Sequence, residues 1–114
     1  MTRTFVETGA WQDAVVAITE TTSGEVNLGR VCESLSMYVP TLDSATVAVH
    51  ASTAAGGTFA TVSVTKEDGT RAAVLAGAST GGYFWTVPLG AQYIKVVCGA
   101  AQTSAARTFK VRGI

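Results

Sequence analysis

A single histidine, His50, a single asparagine, Asn27, two cysteines and two prolines are all that this chain offers of four informative residue types. Each shortage excludes something. One histidine with no Cys-x-x-Cys or His-x-x-x-His spacing leaves no recognisable zinc set. Two cysteines, Cys32 and Cys98, are too few for the disulfide framework of a small secreted domain. The opening "MTRTFVETGAWQDAVV" has one arginine and no apolar h-region, so no secretory leader is expected, and both thiols are expected to be reduced and buried. No run approaches the roughly 20 apolar residues of a membrane-spanning helix. Charge is also scarce: 14% of the 114 residues against a usual value of about 25%. The eight bases are scattered, which argues against nucleic acid as a partner.

The charge that remains is split along the chain. Residues 1–57 hold six acids against Arg3 and Arg30, and residues 58–114 hold six bases against Glu67 and Asp68, giving halves of −4 and +4. If the halves stay apart in space, opposite poles favour contact between copies; if they interleave, the charges pair within one molecule.

Alternation dominates what is present. Ala14, Val16 and Ile18 in "DAVVAITE" recur at every second position, as do Ala45, Val47 and Val49 in "DSATVAVHAS". The same holds for Ala60, Val62 and Val64 in "TFATVSVTK", Ile94, Val96 and Cys98 in "AQYIKVVCG", and Phe109 and Val111 in "ARTFKVRG". Period two with β-branched side chains predicts half-buried strands. "LGRVCESLSMYVP" fits helical and strand spacing alike; its Val, Cys, Ser and Tyr favour a strand. Asp68-Gly69 in "KEDGTR" predicts a hairpin with both turn residues at positive φ. Pro40 and Pro88 are expected at strand ends. The pattern predicts one all-β domain over 1–114, an antiparallel β-sandwich of about eight strands with Greek-key or jelly-roll topology.

No stretch dictates a reaction. Glu67-Asp68 is simpler as turn chemistry than as a calcium site. Cys32 or Cys98, His50 and Asp43 form a nucleophile-base-acid inventory, but no local signature places them together, and His50 is more simply a polar-face or interface histidine. No catalytic residue, metal ligand or cofactor site is therefore assigned. The sharper feature is "YFWTVP", residues 83–88. Tyr83, Trp85 and Val87 share one face, and Phe84 and Pro88 the other. One set fills the core, and the other needs a cover: a loop, a neighbouring protein or a glycan. Tyr83 and Trp85 are nominated as interface residues. Phe5 and Trp11 join them as anchors of a docking arm over residues 1–12, where two aromatics in polar surroundings are costly to leave in water.

"TLDSATVAVHASTAAGGTFATV" and "GGYFWTVPLGAQYIKVVCGAAQTSAARTFKVRGI", with the loop and closing strand that follow "AQYIKVVCG", resemble the small β-sandwich virion proteins of tailed bacteriophages. Capsid decoration, or cement, proteins are the nearest kind, and the resemblance covers about residues 42–114. It implies a non-enzymatic structural protein of the virion, assembled in the host bacterial cytoplasm. Its partners would be the major capsid protein or another virion protein and further copies of itself, commonly as a trimer. No binding residue carries over by motif. A tail, neck or receptor-binding component would share these features, and a carbohydrate-binding module using the Tyr83/Trp85 strand is the alternative from another class.

Overall fold

The computed structural model describes residues 10–114. Phe5 and most of the expected arm lie outside them; Trp11 lies within. The described residues are all β: β1 (Gln12–Val16), β2 (Val26–Ser52), β3 (Ala60–Thr61), β4 (Ser63–Thr65), β5 (Arg71–Ala73), β6 (Leu75–Cys98) and β7 (Arg107–Gly113). All pairings are antiparallel, and the ambiguous segment from Leu28 to Pro40 is strand. Seven strands among the described residues replace the expected eight or so, because β2 and β6 run to 27 and 24 residues.

Their length corrects the reading of the prolines: Pro40 and Pro88 sit inside strands. Both lie where little is lost. Pro88 faces Ser34 beside a shift of register, on a stretch of β6 paired only with β2, and Pro40 immediately precedes the shift between Thr41 and Ala45. A residue without an N–H is tolerated at such breaks and edges.

β2 and β6 form one long ladder from Val26↔Ile94 to Ala48↔Leu75, and meet again from Val47↔Cys98 to Ser52↔Tyr93. Ile94 thus lies opposite both Val26 and Ala51. The two ends of β2 flank the end of β6, and the ladder curls around one interior. β7 pairs with β2 through Leu35↔Gly113 to Tyr38↔Lys110 and carries β1 on its other edge. Leu28, Leu35, Met37, Val87, Ile94, Phe109 and other apolar residues of alternating parity fill the interior. Burial of this kind is worth about 1.5–3 kcal/mol per large side chain. Cys32 and Cys98 are both buried there and unpaired, and burial pushes the Cys98 thiol above its ordinary range. Ile18 is not part of the core: β1 ends at Val16 and Ile18 is exposed.

"TFATVSVTKEDGTRAAV" also departs from expectation. Rather than a half-buried strand, β4 and β5 form a separate two-stranded sheet whose residues 63–71 are all exposed. The turn differs too. Lys66 N donates to Thr70 O, Gly69 N donates to Lys66 O, and of the turn residues only Gly69 has positive φ, +86°. This is a three-residue loop with glycine in the left-handed position; Asp68 keeps negative φ, and its carboxylate accepts from Thr70 N and Oγ1.

Candidate functional site

Register across the sheet sets the outer face. Asp13 of β1 lies opposite Lys110 of β7, Lys110 opposite Tyr38 of β2, and Tyr38 opposite Phe84 of β6. Since Ala14, Phe109, Met37 and Val87 point into the core, this row points out. Phe84 is 73% exposed and Trp11, just before β1, is 46% exposed. Phe84 approaches Trp11 with ring centroids 6.4 Å apart at 62°, and Tyr38 at 5.1 Å and 56°. The three rings and Lys110 line an open groove of about 500 Å³.

The groove has a charged rim. Lys110 pairs with Asp13, and the Arg112 guanidinium lies 5.7 Å from the centre of the Trp11 ring, at cation–π distance. Arg112 Nε is buried without a hydrogen-bond partner among the described residues, as is the Tyr83 hydroxyl. Trp11, Tyr38 and Phe84 supply the apolar lining, with Lys110 among them and Arg112 over the Trp11 ring. Aromatic side chains and arginine are the residue types enriched at the centres of protein interfaces.

A second polar cluster lies at the bend of β2. Asp43 accepts from Thr103 N (2.8 Å), Ser104 N (2.9 Å) and Ser104 Oγ (2.7 Å), and pairs with Arg107 at 3.1 Å. Gln102, completely buried, accepts from Asp43 N through Oε1 and donates to Asp43 O and Ala100 O through Nε2. Its backbone accepts from Thr19 N and donates to Glu20 O. The β6–β7 loop is thereby fastened to the bend of β2 and to the β1–β2 connection. With every oxygen occupied, this is a latch rather than a ligand site.

The Asp43 carboxyl is held down to about 2 from an ordinary 3.8, chiefly by the Ser104 amide and hydroxyl, with help from Thr103 and Arg107 against partial desolvation. A carboxyl that is more acidic folded than unfolded adds stability above about pH 4, and that contribution is lost as pH falls through about 2. The melting temperature should therefore fall between pH 4 and 2, and Asp43→Asn should flatten that part of the curve. Asp68, also held down by Thr70, titrates in both proteins, so the difference between the two curves isolates Asp43. Parallel curves would refute the latch as an acid-sensitive element.

Of the nominated residues, Trp11 lies in the groove, whereas Tyr83 and Trp85 are half-buried and pack against the core. The outward aromatic of "YFWTVP" is Phe84. The Cys/His/Asp inventory is not assembled: Asp43 is held by the latch, both thiols are buried, and His50 Nε2 lies 3.1 Å from Thr61 Oγ1. Among the described residues no three side chains of His, Cys, Asp or Glu converge as a metal set would. Tyr38, Lys110 and Arg112 were not singled out from sequence. The signal for the two bases was present in "RTFKVRG", where burial of Phe109 and Val111 sends Lys110 and Arg112 outward. The split of charge is interleaved, since both ion pairs among the described residues, Asp13–Lys110 and Asp43–Arg107, join one half of the chain to the other. No family model, curated protein or solved structure matches the chain.

Proposed function

We propose that this chain is a non-enzymatic structural protein that docks on other proteins through the outer face of the β1–β7–β2–β6 sheet, as a capsid decoration protein of a tailed-phage virion. The observation that carries the docking role is the exposed Trp11–Tyr38–Phe84 groove beside Arg112. Aromatic residues and arginine are the side chains most enriched at the energetic centres of protein interfaces. The phage setting rests on the resemblance of residues 42–114, and with it come the major capsid protein as partner and a trimer as the form in which the protein acts. Within this reading the curled β2–β6 ladder is the frame of a β-sandwich with jelly-roll or Greek-key crossing, its ends brought together at Ile94. Low charge suits a protein that spends its life covered by neighbours.

A glycan is the less suitable occupant. The rings are inclined by 56° and 62°, so they form a groove rather than a coplanar stacking platform, and Tyr83 and Trp85 lie under the strand. Co-sedimentation with purified phage capsids tests the reading. Trp11→Ala and Phe84→Ala should each weaken attachment by roughly tenfold or more, the effect of losing an interface hot spot. Unchanged attachment would place the contacts elsewhere, and glycan binding lost on Trp85→Ala would replace the proposal by the carbohydrate-binding alternative.

A further inference from the structure

We propose that the chain assembles head to tail with itself, the β4–β5 hairpin of one copy seating in the Trp11–Tyr38–Phe84 groove of the next. This rests on the groove being a protein-docking face; its occupant is then a second copy, and the weaker capsid attachment expected of Trp11→Ala and Phe84→Ala follows from loss of the assembled form. The hairpin is another part of the fold that lacks a cover among the described residues. β4 and β5 pair only with each other, and an isolated two-stranded hairpin is marginally stable in water. Its apolar face begins at the core, where Val62 and Val74 pack, and continues outward to Val64, 43% exposed, opposite Ala72. A ridge of that kind ends in solvent unless something receives it.

The charges are complementary too. The hairpin apex is Glu67-Asp68, and the amide and hydroxyl of Thr70 keep Asp68 ionised. The groove side presents Arg112, which among the described residues has no carboxylate within ion-pair distance. Apolar ridge to aromatic groove and acidic apex to arginine is a complementary pair of surfaces. They are different surfaces of one molecule: the groove is built around Tyr38, and the hairpin leaves the sheet through β3, opposite His50 and Ala51. A contact between two unlike patches is heterologous; repeated, it closes a ring where its rotation closes and otherwise runs on as an open filament.

Phe84→Glu disables the groove and Val64→Glu the hairpin; both side chains are exposed, and cooperative melting of each variant checks the fold. If either fails to melt cooperatively, Phe84→Ser or Val64→Ser replaces it. At micromolar to hundred-micromolar concentration, sedimentation equilibrium of the wild type should give a species heavier than 11.7 kDa, and each variant should give 11.7 kDa. Mixed in equal amounts, the variants should form a one-to-one dimer that grows no further, because one keeps its hairpin and the other its groove. A monomeric wild type, variants that leave the oligomer intact, or monomeric variants that do not combine would each overturn the proposal. Since purified protein alone is used, that failure leaves docking on capsids standing, to be judged by co-sedimentation.

Discussion

Gly81→Ala should destabilise the protein by about 4 kcal/mol or more, while Gly82→Ala should cost only about 1–2 kcal/mol. The two glycines are neighbours with nearly the same backbone, φ +82° and +81°. Both substitutions incur the strain of an L-residue in the left-handed region, about 1–2 kcal/mol. They differ in what surrounds the new methyl group. A Cβ at Gly82 meets nothing within 4 Å, whereas one at Gly81 would lie 1.8 Å from the Pro40 carbonyl oxygen and 3.2 Å from Leu42 Cγ. The obstacle is backbone, held in the ladder by Thr41↔Gly81 at the point where β2 bends, and Leu42 is core. Relief requires the strands to part where the ladder curls. For a chain of this size each kcal/mol lowers the melting temperature by about 4 °C, so Gly81→Ala should melt some 15 °C or more below the wild type and Gly82→Ala within about 8 °C of it. Equal losses for the two variants would show that backbone strain, not close approach, sets the requirement for glycine at position 81.

What was legible in the sequence is the part that depends on near neighbours. Alternation in "DSATVAVHAS", "AQYIKVVCG" and "ARTFKVRG" sorts Val47, Val49, Ile94, Val96, Phe109 and Val111 to one side, and all of these are buried. In "YFWTVP" alternation separates Phe84 from Tyr83, Trp85 and Val87, but it does not say which set turns inward. That choice is made by register against Tyr38 and Val39, and then by Lys110 of a strand remote in sequence. The hairpin was legible in Asp68-Gly69, but its loop length was not, because the same two residues serve a two-residue turn or end a three-residue one. Pro40 and Pro88 misled because a proline marks a missing donor, and a long strand that bends has places where no donor is needed. Gln102 gave no signal at all. It lies in "CGAAQTSA", which reads as a polar loop, and its burial depends on Asp43, Thr19 and Glu20 arriving from elsewhere.

Phe109→Ala should cost about 3–5 kcal/mol, the range for emptying a buried aromatic site. Against a total stability of about 5–15 kcal/mol, that leaves the variant folded but close to its limit at ordinary temperature. Phe109 is completely buried, and it sits at the middle of β7, opposite Ala14 of β1. Ala14 is too small to fill the space left, so a cavity remains. Among the described residues β1 forms its ladder with β7 alone, and its tie to β2 is the single hydrogen bond that Gln12 Nε2 donates to Asn27 O. Loosening β7 should therefore free β1 before the β2–β6 ladder opens, and amide exchange in the variant should quicken first at Ala14 and Val16. Phe84→Ala is the matched control: the same side chain, 73% exposed, removed from the opposite face, should change stability by no more than about 0.5 kcal/mol. The pair separates the two duties of phenylalanine in this fold. Phe109 should affect melting and exchange, and Phe84 should affect only what the protein binds. If Phe84→Ala melted as low as Phe109→Ala, the aromatic row would be part of the core, and a docking role for the groove would lose its footing.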